Sequence, residues 1–127
     1  MTTRRSIEIP GFGHGAQPIP AASLVGPLLV SGGISGKDPE TGTIPEDPAA
    51  EVAQAFANLR AILDAAGATP EQVAKVTVFV KDRDIRAHVN PSWLELFPDP
   101  ESRPARHTLE TGLVGMRIQL ECLAYIG

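Results

Sequence analysis

Disulfide partners, long apolar runs and a secretory signal are all missing from this sequence. The single cysteine, Cys122, has no partner within the chain and falls on the apolar face of a predicted strand, where we expect a buried, inert thiol. No segment approaches the roughly 18 apolar residues of a membrane span, and Arg4-Arg5 is followed by Ile7–Pro10 rather than by an apolar stretch. The sequence therefore predicts a cytoplasmic protein with no membrane partner.

Clustered basic residues are also missing. The formal net charge is −4 at pH 7, and no basic run is longer than Arg4-Arg5. Proteins that bind nucleic acid depend on many Lys and Arg contacts to phosphates. Nucleic acid is therefore not an expected partner.

What the sequence does contain is clearest near its C-terminus, where two strands are predicted. From Met116 to Ile126, apolar side chains alternate with polar ones that include Glu121. In the strand before it, alternation puts Arg106 on one face and His107 on the other, more apolar face. We expect Arg106 to stand away from the apolar side, and His107 to be a core histidine with its hydrogen bonds satisfied.

The remaining elements complete an α+β order of strand, strand, helix, strand, helix, strand, strand. This order predicts a single domain over residues 1–127, with helices on one sheet face and the other face open. An open face of mixed polar and apolar residues on so small a chain predicts either a subunit contact or a solvated surface. The predicted strands before the C-terminal pair are Ser6–Ile9, Leu24–Ser31 and Lys75–Lys81; the helices run from Asp47-Pro48 to Gly67 and from Asp84 to Phe97.

Pro91 interrupts the second helical segment. Asn90 precedes it, so the side chain of Asn90 is placed to cap a new helix start, with Pro91 in the first turn. The Asn90 side chain could therefore cap the helix, bind a ligand, or do both.

Several motifs together resemble the Rid (YjgF) family of small trimeric imine deaminases. The run Arg103–Arg106 before a strand containing a hydroxyl side chain, with Glu121 in the last strand, is similar to that family's C-terminal signature. The resemblance implies a chorismate-mutase-like fold: a mixed sheet with two helices packed on one face, forming a homotrimer through the other, with clefts between subunits. Further matches, in the family's order, are Leu28–Gly32, Asp38–Gly42, Asn58-Leu59, Ala65–Gly67, Val73–Asp82 and Val89-Asn90.

The same resemblance implies the site residues. Arg106 corresponds to the arginine that binds the carboxylate of a 2-imino acid, and Glu121 to the glutamate that positions the hydrolytic water. Ser31 and Asn90 match a serine and an asparagine of the cleft, and the backbone beside Cys122 is a further candidate contact. The products would be a 2-keto acid and ammonium.

Two different sheet orders are compatible with these strands. A simple hairpin through Gly112–Gly115 would place Arg106 opposite Glu121, as an ordinary ion pair. The family's sheet instead puts the last strand between the first long strand and the central one. We prefer the family's order, in which Arg106 meets Glu121 only through a cleft between two subunits.

The chain departs from the family near its N-terminus. Deaminating members carry a Gly-Pro-Tyr-Ser-Gln string, whereas the equivalent region here reads Gly13-His14-Gly15-Ala16-Gln17 and has no tyrosine. Either His14 substitutes for the tyrosine, or the cleft is shaped for a different ligand. Two functions stay open: a deaminase acting on small 2-imino acids, and a non-catalytic trimeric module that binds a small carboxylate.

No cofactor and no metal are expected. A protonated imine is already electrophilic, so its hydrolysis calls for no cofactor. The three histidines are far apart in sequence and have no cysteine or histidine at metal-ligand spacing. A ribonuclease activity is not expected, because the net charge is negative and the sequence shows no evident pair of nucleophile and base.

Overall fold

The structure is a computed structural model that describes residues 3–127, and strands and helices account for most of that range. The helices are α1 (Pro48–Ala66), α2 (Arg83–Arg86) and α3 (Val89–Leu96), with a 3₁₀ turn at Pro70–Gln72. The strands are β1 (Arg4–Ile7), β2 (Ala22–Val25), β3 (Leu28–Ser31), β4 (Ile34–Ser35), β5 (Val73–Val80), β6 (Ala105–Glu110) and β7 (Ile118–Tyr125).

The strands form one mixed sheet in the order β1-β2-β3-β7-β5-β6, and the short β4 also pairs with β7. The last strand, β7, thus lies between β3 and β5, as the family's order predicts. The hairpin alternative is wrong: β6 pairs in parallel with β5, and Arg106 is the register partner of Val76 rather than of Glu121. A parallel connection needs a crossover, which α2 and α3 supply.

The first helix begins and ends where the sequence predicts. The carboxylate of Asp47 accepts a hydrogen bond from the amide of Ala50 at 3.2 Å, which satisfies one free donor of the first turn. Gly67 ends the helix at φ 75°, a left-handed conformation that glycine adopts without strain. The apolar stripe of α1 is buried, with Val52, Leu59 and Leu63 fully inaccessible to solvent.

The helices cover one sheet face, and the core lies between the two layers. On β5, Val76, Val78 and Val80 are fully buried, as alternation along the strand predicts. On β7, the buried residues Ile118, Leu120, Cys122 and Ala124 continue the same face. The mixed sheet with helices on one side confirms the predicted fold class.

A buried ion pair fastens α1 to the start of β7. Glu51 has no solvent exposure, and its carboxylate accepts one hydrogen bond from the backbone amide of Arg117 and one from its Nη1, each at 2.8 Å. Arg117 also donates to the carbonyls of Pro45 and Glu46. The buried carboxylate is therefore fully paired, as a charge in a core has to be.

Two strand predictions are wrong near the N-terminus. Leu24–Ser31 is not one buried strand; β2 and β3 are antiparallel and meet at Gly26-Pro27, where Gly26 has φ 58°. A glycine in the left-handed region followed by proline makes a turn, so the apolar run folds back on itself. The first strand covers Arg4–Ile7 rather than Ser6–Ile9.

The second helical segment is divided earlier than predicted. It consists of α2 and α3, and the break lies at Ala87-His88. His88 holds the N-cap position of α3, so the capping role considered for Asn90 is wrong. Asn90 and Pro91 both lie in the first turn of α3, where proline's missing amide leaves no hydrogen bond unmade. The Asn90 side chain is thereby free for another partner.

The other sheet face is open, and it carries several exposed apolar side chains. Register pairs place Leu28 beside Tyr125 and Val30 beside Leu123 on this face, and all four are 39–58% exposed. His107 lies on the same face, in register with Thr77, and it is exposed. The prediction of a core histidine is wrong because β6 is an edge strand.

Candidate functional site

Arg106 lies at the edge of the sheet and faces the helix layer. Its register partner Val76 is buried under the helices, and the two side chains share a face. The prediction that Arg106 stands away from the apolar side is therefore wrong; alternation gives the two faces of a strand, but not which one meets the helices. Arg106 Nη1 donates a hydrogen bond to Asn90 Oδ1 at 2.9 Å. Its Cζ atom is 4.9 Å from the centroid of the Trp93 ring.

Within residues 3–127, Arg106 forms no ion pair with a carboxylate; the salt bridge there joins Glu51 and Arg117. The ion pair with Glu121 that a simple hairpin would bring about is thus absent, and Arg106 does not pair with Glu110 on its own strand either. Partial burial, together with the positive charge of Arg86, lowers the pKa of Arg106. Arginine nevertheless stays charged at neutral pH. Arg106 therefore presents a cation whose remaining N–H groups have no protein carboxylate to bind.

The side chain of Ser31 is hydrogen-bonded to the backbone of Cys122. Ser31 Oγ accepts from the amide of Cys122 at 2.8 Å and donates to the carbonyl of Gly32 at 2.8 Å. Burial raises the pKa of the Cys122 thiol to about 11; the Ser31 hydroxyl opposes this shift and the Glu121 carboxylate adds to it. The thiol is therefore protonated and 3% exposed at neutral pH. This confirms the buried, unreactive cysteine predicted from the sequence.

Glu121 is exposed on the open sheet face. A hollow of about 210 Å³ lies there, and its lining includes Glu121, Ser31, Cys122, Lys75 and Thr77. Thr77 is the register partner of Glu121 on the neighbouring strand. Three predicted site residues, Ser31, Glu121 and Cys122, are thus brought together around one small hollow.

Sequence reasoning missed Lys75, Thr77 and Trp93 as neighbours of the site. Alternation along β5 puts Lys75 and Thr77 on the face opposite Val76, but nothing local in the sequence shows that β7 is the adjacent strand. The apolar positions of the second helical segment predict that Trp93 is buried, and it is 7% exposed. A signal for its second contact was available, since Asn90 and Trp93 are three residues apart and so share one side of a helix.

His14 lies in a separate hollow beside the end of β3. That hollow has a volume of about 350 Å³, and the loop from Glu8 to Ile19 and Lys37 contribute to its lining. A Cβ atom built on Gly32 would be 3.5 Å from His14 Nε2, so the imidazole lies against the residue that follows Ser31. His14 is therefore near the Ser31 end of the first group.

One chain does not bring all the predicted residues together. Arg106 and Asn90 form one group on the helix side of the sheet edge. Ser31, Cys122 and Glu121 form another, with His14 nearby. The central strand β5 separates Arg106 from Glu121, and their side chains lie on opposite faces of the sheet.

Neither a membrane-spanning helix nor a metal cluster is found in the described part of the chain. No helix in residues 3–127 has both the length and the apolar character needed to cross a bilayer. Over the same residues, no three His, Cys, Asp or Glu side chains lie close enough together to hold a metal ion.

Comparison with known proteins gives consistent matches over most of the chain. Residues 17–126 match the model of the family described as Endoribonuclease L-PSP. A 2-iminobutanoate/2-iminopropanoate deaminase of Salmonella typhimurium is 33% identical over 103 residues, covering 79% of this chain and 80% of that protein. A RutC family protein of Pyrococcus abyssi is 36% identical over 111 residues, covering 85% and 86%.

A solved structure agrees with these sequence matches. The crystal structure of the yjgF gene product of Escherichia coli has a TM-score of 0.85 and 29% sequence identity to this chain. The alignment covers 95% of this chain and 98% of that one. The similarity therefore extends over nearly all of both chains.

Proposed function

This chain belongs to the Endoribonuclease L-PSP family, that of the Rid (YjgF) proteins, and on that premise we propose that it is an imine deaminase. Its substrates would be small 2-imino acids, hydrolysed to 2-keto acids and ammonium. The Salmonella relative carries the name of such a deaminase. The region that matches the family model, residues 17–126, includes both proposed catalytic positions, Arg106 and Glu121.

The observation that carries the proposal is the guanidinium of Arg106, which has no carboxylate partner among residues 3–127. It lies at an exposed sheet edge, its Nη1 donates to Asn90, and the rest of its planar fork makes no other hydrogen bond or ion pair with the described residues. Such a fork matches a carboxylate with two parallel hydrogen bonds, which lysine cannot copy. A hydrogen bond to a charged partner is worth about 1.5–3 kcal/mol net, enough to orient a small anionic substrate.

Glu121 would position and activate the water molecule that attacks the imine. Its carboxylate is exposed beside a hollow of about 210 Å³, next to the Ser31 hydroxyl and the backbone of Cys122. A carboxylate there accepts a proton from water as the water oxygen attacks the imine carbon, which gives a carbinolamine. The carboxylic acid then returns the proton to the nitrogen; the C–N bond breaks as the C=O bond forms, and the hydroxyl proton passes to the departing ammonia, which leaves as ammonium. His14, near the end of β3, would take the place of the family's tyrosine.

We propose that two subunits complete each site. Arg106 and Glu121 lie on opposite sheet faces within a chain, so a substrate bound to both requires a second copy. The open face offers an apolar contact surface, since Leu28, Val30, Leu123 and Tyr125 are exposed on it. A closed homotrimer built through that face would place the Arg106 edge of one chain beside the Glu121 hollow of the next.

A non-catalytic carboxylate-binding module is the second candidate. The observation that favours it is the loop of residues 13–17, which contains His14 and no tyrosine, whereas the family resemblance implies a tyrosine there in deaminating members. Binding through Arg106 would then persist without turnover.

The experiment follows hydrolysis of 2-iminopropionate and 2-iminobutyrate generated in situ by an amino-acid oxidase. The wild type is expected to accelerate keto-acid formation over the spontaneous rate. Glu121→Gln should remove the acceleration, and Arg106→Lys should lower kcat/KM by about ten- to hundredfold, because the charge remains but the fork is lost. Arg5→Gln on β1, at the opposite edge of the sheet from β6, is the matched control and should act like wild type.

Measuring pyruvate binding alongside turnover distinguishes the deaminase from the non-catalytic binding module. If the wild type adds nothing to the spontaneous rate while pyruvate still binds and Arg106→Lys weakens that binding, the chain is a binding module. If Arg106→Lys has full activity, the assigned role of Arg106 is wrong.

A further inference from the structure

The ring of Trp93 packs against one face of the Arg106 guanidinium. It is the single tryptophan of the chain, and its side chain is 7% exposed. The Arg106 Cζ atom lies 4.9 Å from the ring centroid, within the range of a cation–π contact. One face of the guanidinium is thus covered by an aromatic ring rather than by water.

The indole ring is itself held in place. The Phe97 ring packs against it edge to face, with centroids 4.7 Å apart and planes at 61°. Arg103 Nε donates to the carbonyl of Phe97 at 2.9 Å and its Nη2 to the carbonyl of Pro98 at 3.2 Å. Arg103 thereby ties the end of α3 to the chain just before β6, the strand that carries Arg106.

Asn90 and Trp93 act on different parts of the same guanidinium. They are three residues apart in α3 and so project from one side of the helix. Asn90 accepts a hydrogen bond from Nη1 at the edge of the fork, while Trp93 covers one of its faces. A planar group held at one edge and one face keeps its remaining edge in a fixed direction.

We propose that Trp93 is a positioning residue for Arg106 and thereby sets the direction from which a carboxylate is bound. This rests on the proposed carboxylate role of Arg106 and extends it to a residue that does not touch the ligand. A ring that only filled the core would be replaceable by another apolar side chain without effect on binding. A ring that holds the cation requires an aromatic face at position 93.

Fluorescence tests the contact without any ligand, because Trp93 is the only indole. Arg106→Met removes the charge and retains an unbranched stem. Its spectrum should differ from wild type in emission maximum or quantum yield, while Arg5→Gln, at the opposite edge of the sheet, should change neither. An Arg106→Met spectrum identical to that of wild type would overturn the contact and the proposal with it.

Binding of pyruvate, measured by calorimetry, tests the positioning role. Trp93→Leu should raise the Kd for pyruvate about three- to thirtyfold, because the cation–π contact is lost. Trp93→Phe should retain most of the affinity, since it keeps an aromatic face. In turnover, Trp93→Leu should raise KM more than it lowers kcat, as expected for a contact made equally in the ground and transition states.

Leu96→Ala is the matched control for lost packing. Leu96 is buried to the same extent in the same helix, so its truncation should lower the melting temperature and leave the pyruvate Kd unchanged. Equal weakening by Trp93→Leu and Leu96→Ala would refute the positioning role. If the wild type binds no 2-keto acid, the proposed function is refuted rather than the contact. The Arg106–Trp93 contact is then tested by the fluorescence experiment alone.

Discussion

At the scale of single residues, environment decides the chemistry. Arg106 and Arg117 are the same residue type, yet Arg117 is paired with the buried Glu51, whereas Arg106 has an amide oxygen and an aromatic ring as partners. Arg117 is therefore committed to the fold. Arg106 still has N–H donors available for a ligand, which is why it is the functional candidate.

Cys122 gives a pH-dependent prediction at this scale. In the unfolded chain the thiol loses its proton near pH 9.0, whereas in the folded chain it holds the proton until about pH 11. Between these values the unfolded state binds fewer protons, so the free energy of unfolding falls as pH rises, by about 2–3 kcal/mol in all. Below pH 9 this contribution is fully present.

The measurement compares urea unfolding of wild type and Cys122→Ala from pH 8 to pH 11. The variant should show a shallower loss of stability over the upper part of this range. Parallel curves for the two proteins would show that the thiol does not titrate differently in the folded state.

At the scale of elements, the site depends on how helices are fastened to strands. Glu51 of α1 binds both the backbone and the side chain of Arg117, immediately before β7. Farther along, Arg103 fastens the end of α3 near the start of β6. Each proposed catalytic strand therefore has its own polar link to the helix layer.

The Glu51–Arg117 link gives a stability prediction. Arg117→Met should lower the free energy of unfolding by about 3 kcal/mol, because the fully buried Glu51 carboxylate loses its counter-charge. The double variant Glu51→Leu/Arg117→Met should recover much of that loss, since no buried charge is left unpaired. Chemical unfolding of wild type, both single variants and the double variant measures the coupling; simple additivity would contradict it.

At the scale of the whole molecule, the proposed activity would require an assembly of chains. Arg106 and Glu121 face opposite ways across β5, so neither can reach a small substrate held by the other in the same chain. The exposed apolar residues of the open face are the surface through which copies would meet.

Mixing two inactive variants tests this arrangement. Arg106→Ala and Glu121→Gln should each be inactive alone. After joint refolding in equal amounts, roughly a quarter of the clefts should pair an intact Arg106 with an intact Glu121 from another chain, restoring about that share of activity. No recovery in mixed oligomers would show that each site lies within one chain.

Disruption of the interface is the companion experiment. Leu28→Glu puts a charge on the open face without touching either residue group, and Leu28 is already 39% exposed, so the fold should tolerate it. Sedimentation should show a smaller species than wild type, with activity lost. An unchanged oligomer would place the interface elsewhere.

The sequence by itself determined the elements whose signals are local. Asp47 and Gly67 mark the ends of α1 through capping chemistry, and alternation along β5 and β7 separates buried from exposed side chains, because these depend on residues a few positions apart. The motif around Arg106 and the glutamate at 121 likewise indicated the family. Among the local predictions that were wrong is Leu24–Ser31, where a turn at Gly26-Pro27 outweighed an apolar run.

Only the tertiary structure decided which faces meet. Alternation separated Arg106 from His107, but packing of α3 against β6 determined that Arg106 lies over Trp93 and that His107 is exposed. Strand order is set by long-range pairing, and the insertion of β7 between β3 and β5 placed Glu121 beside Thr77 and away from Arg106. Contacts between residues distant in sequence leave no local pattern, so the arrangement of the site had to come from the folded chain.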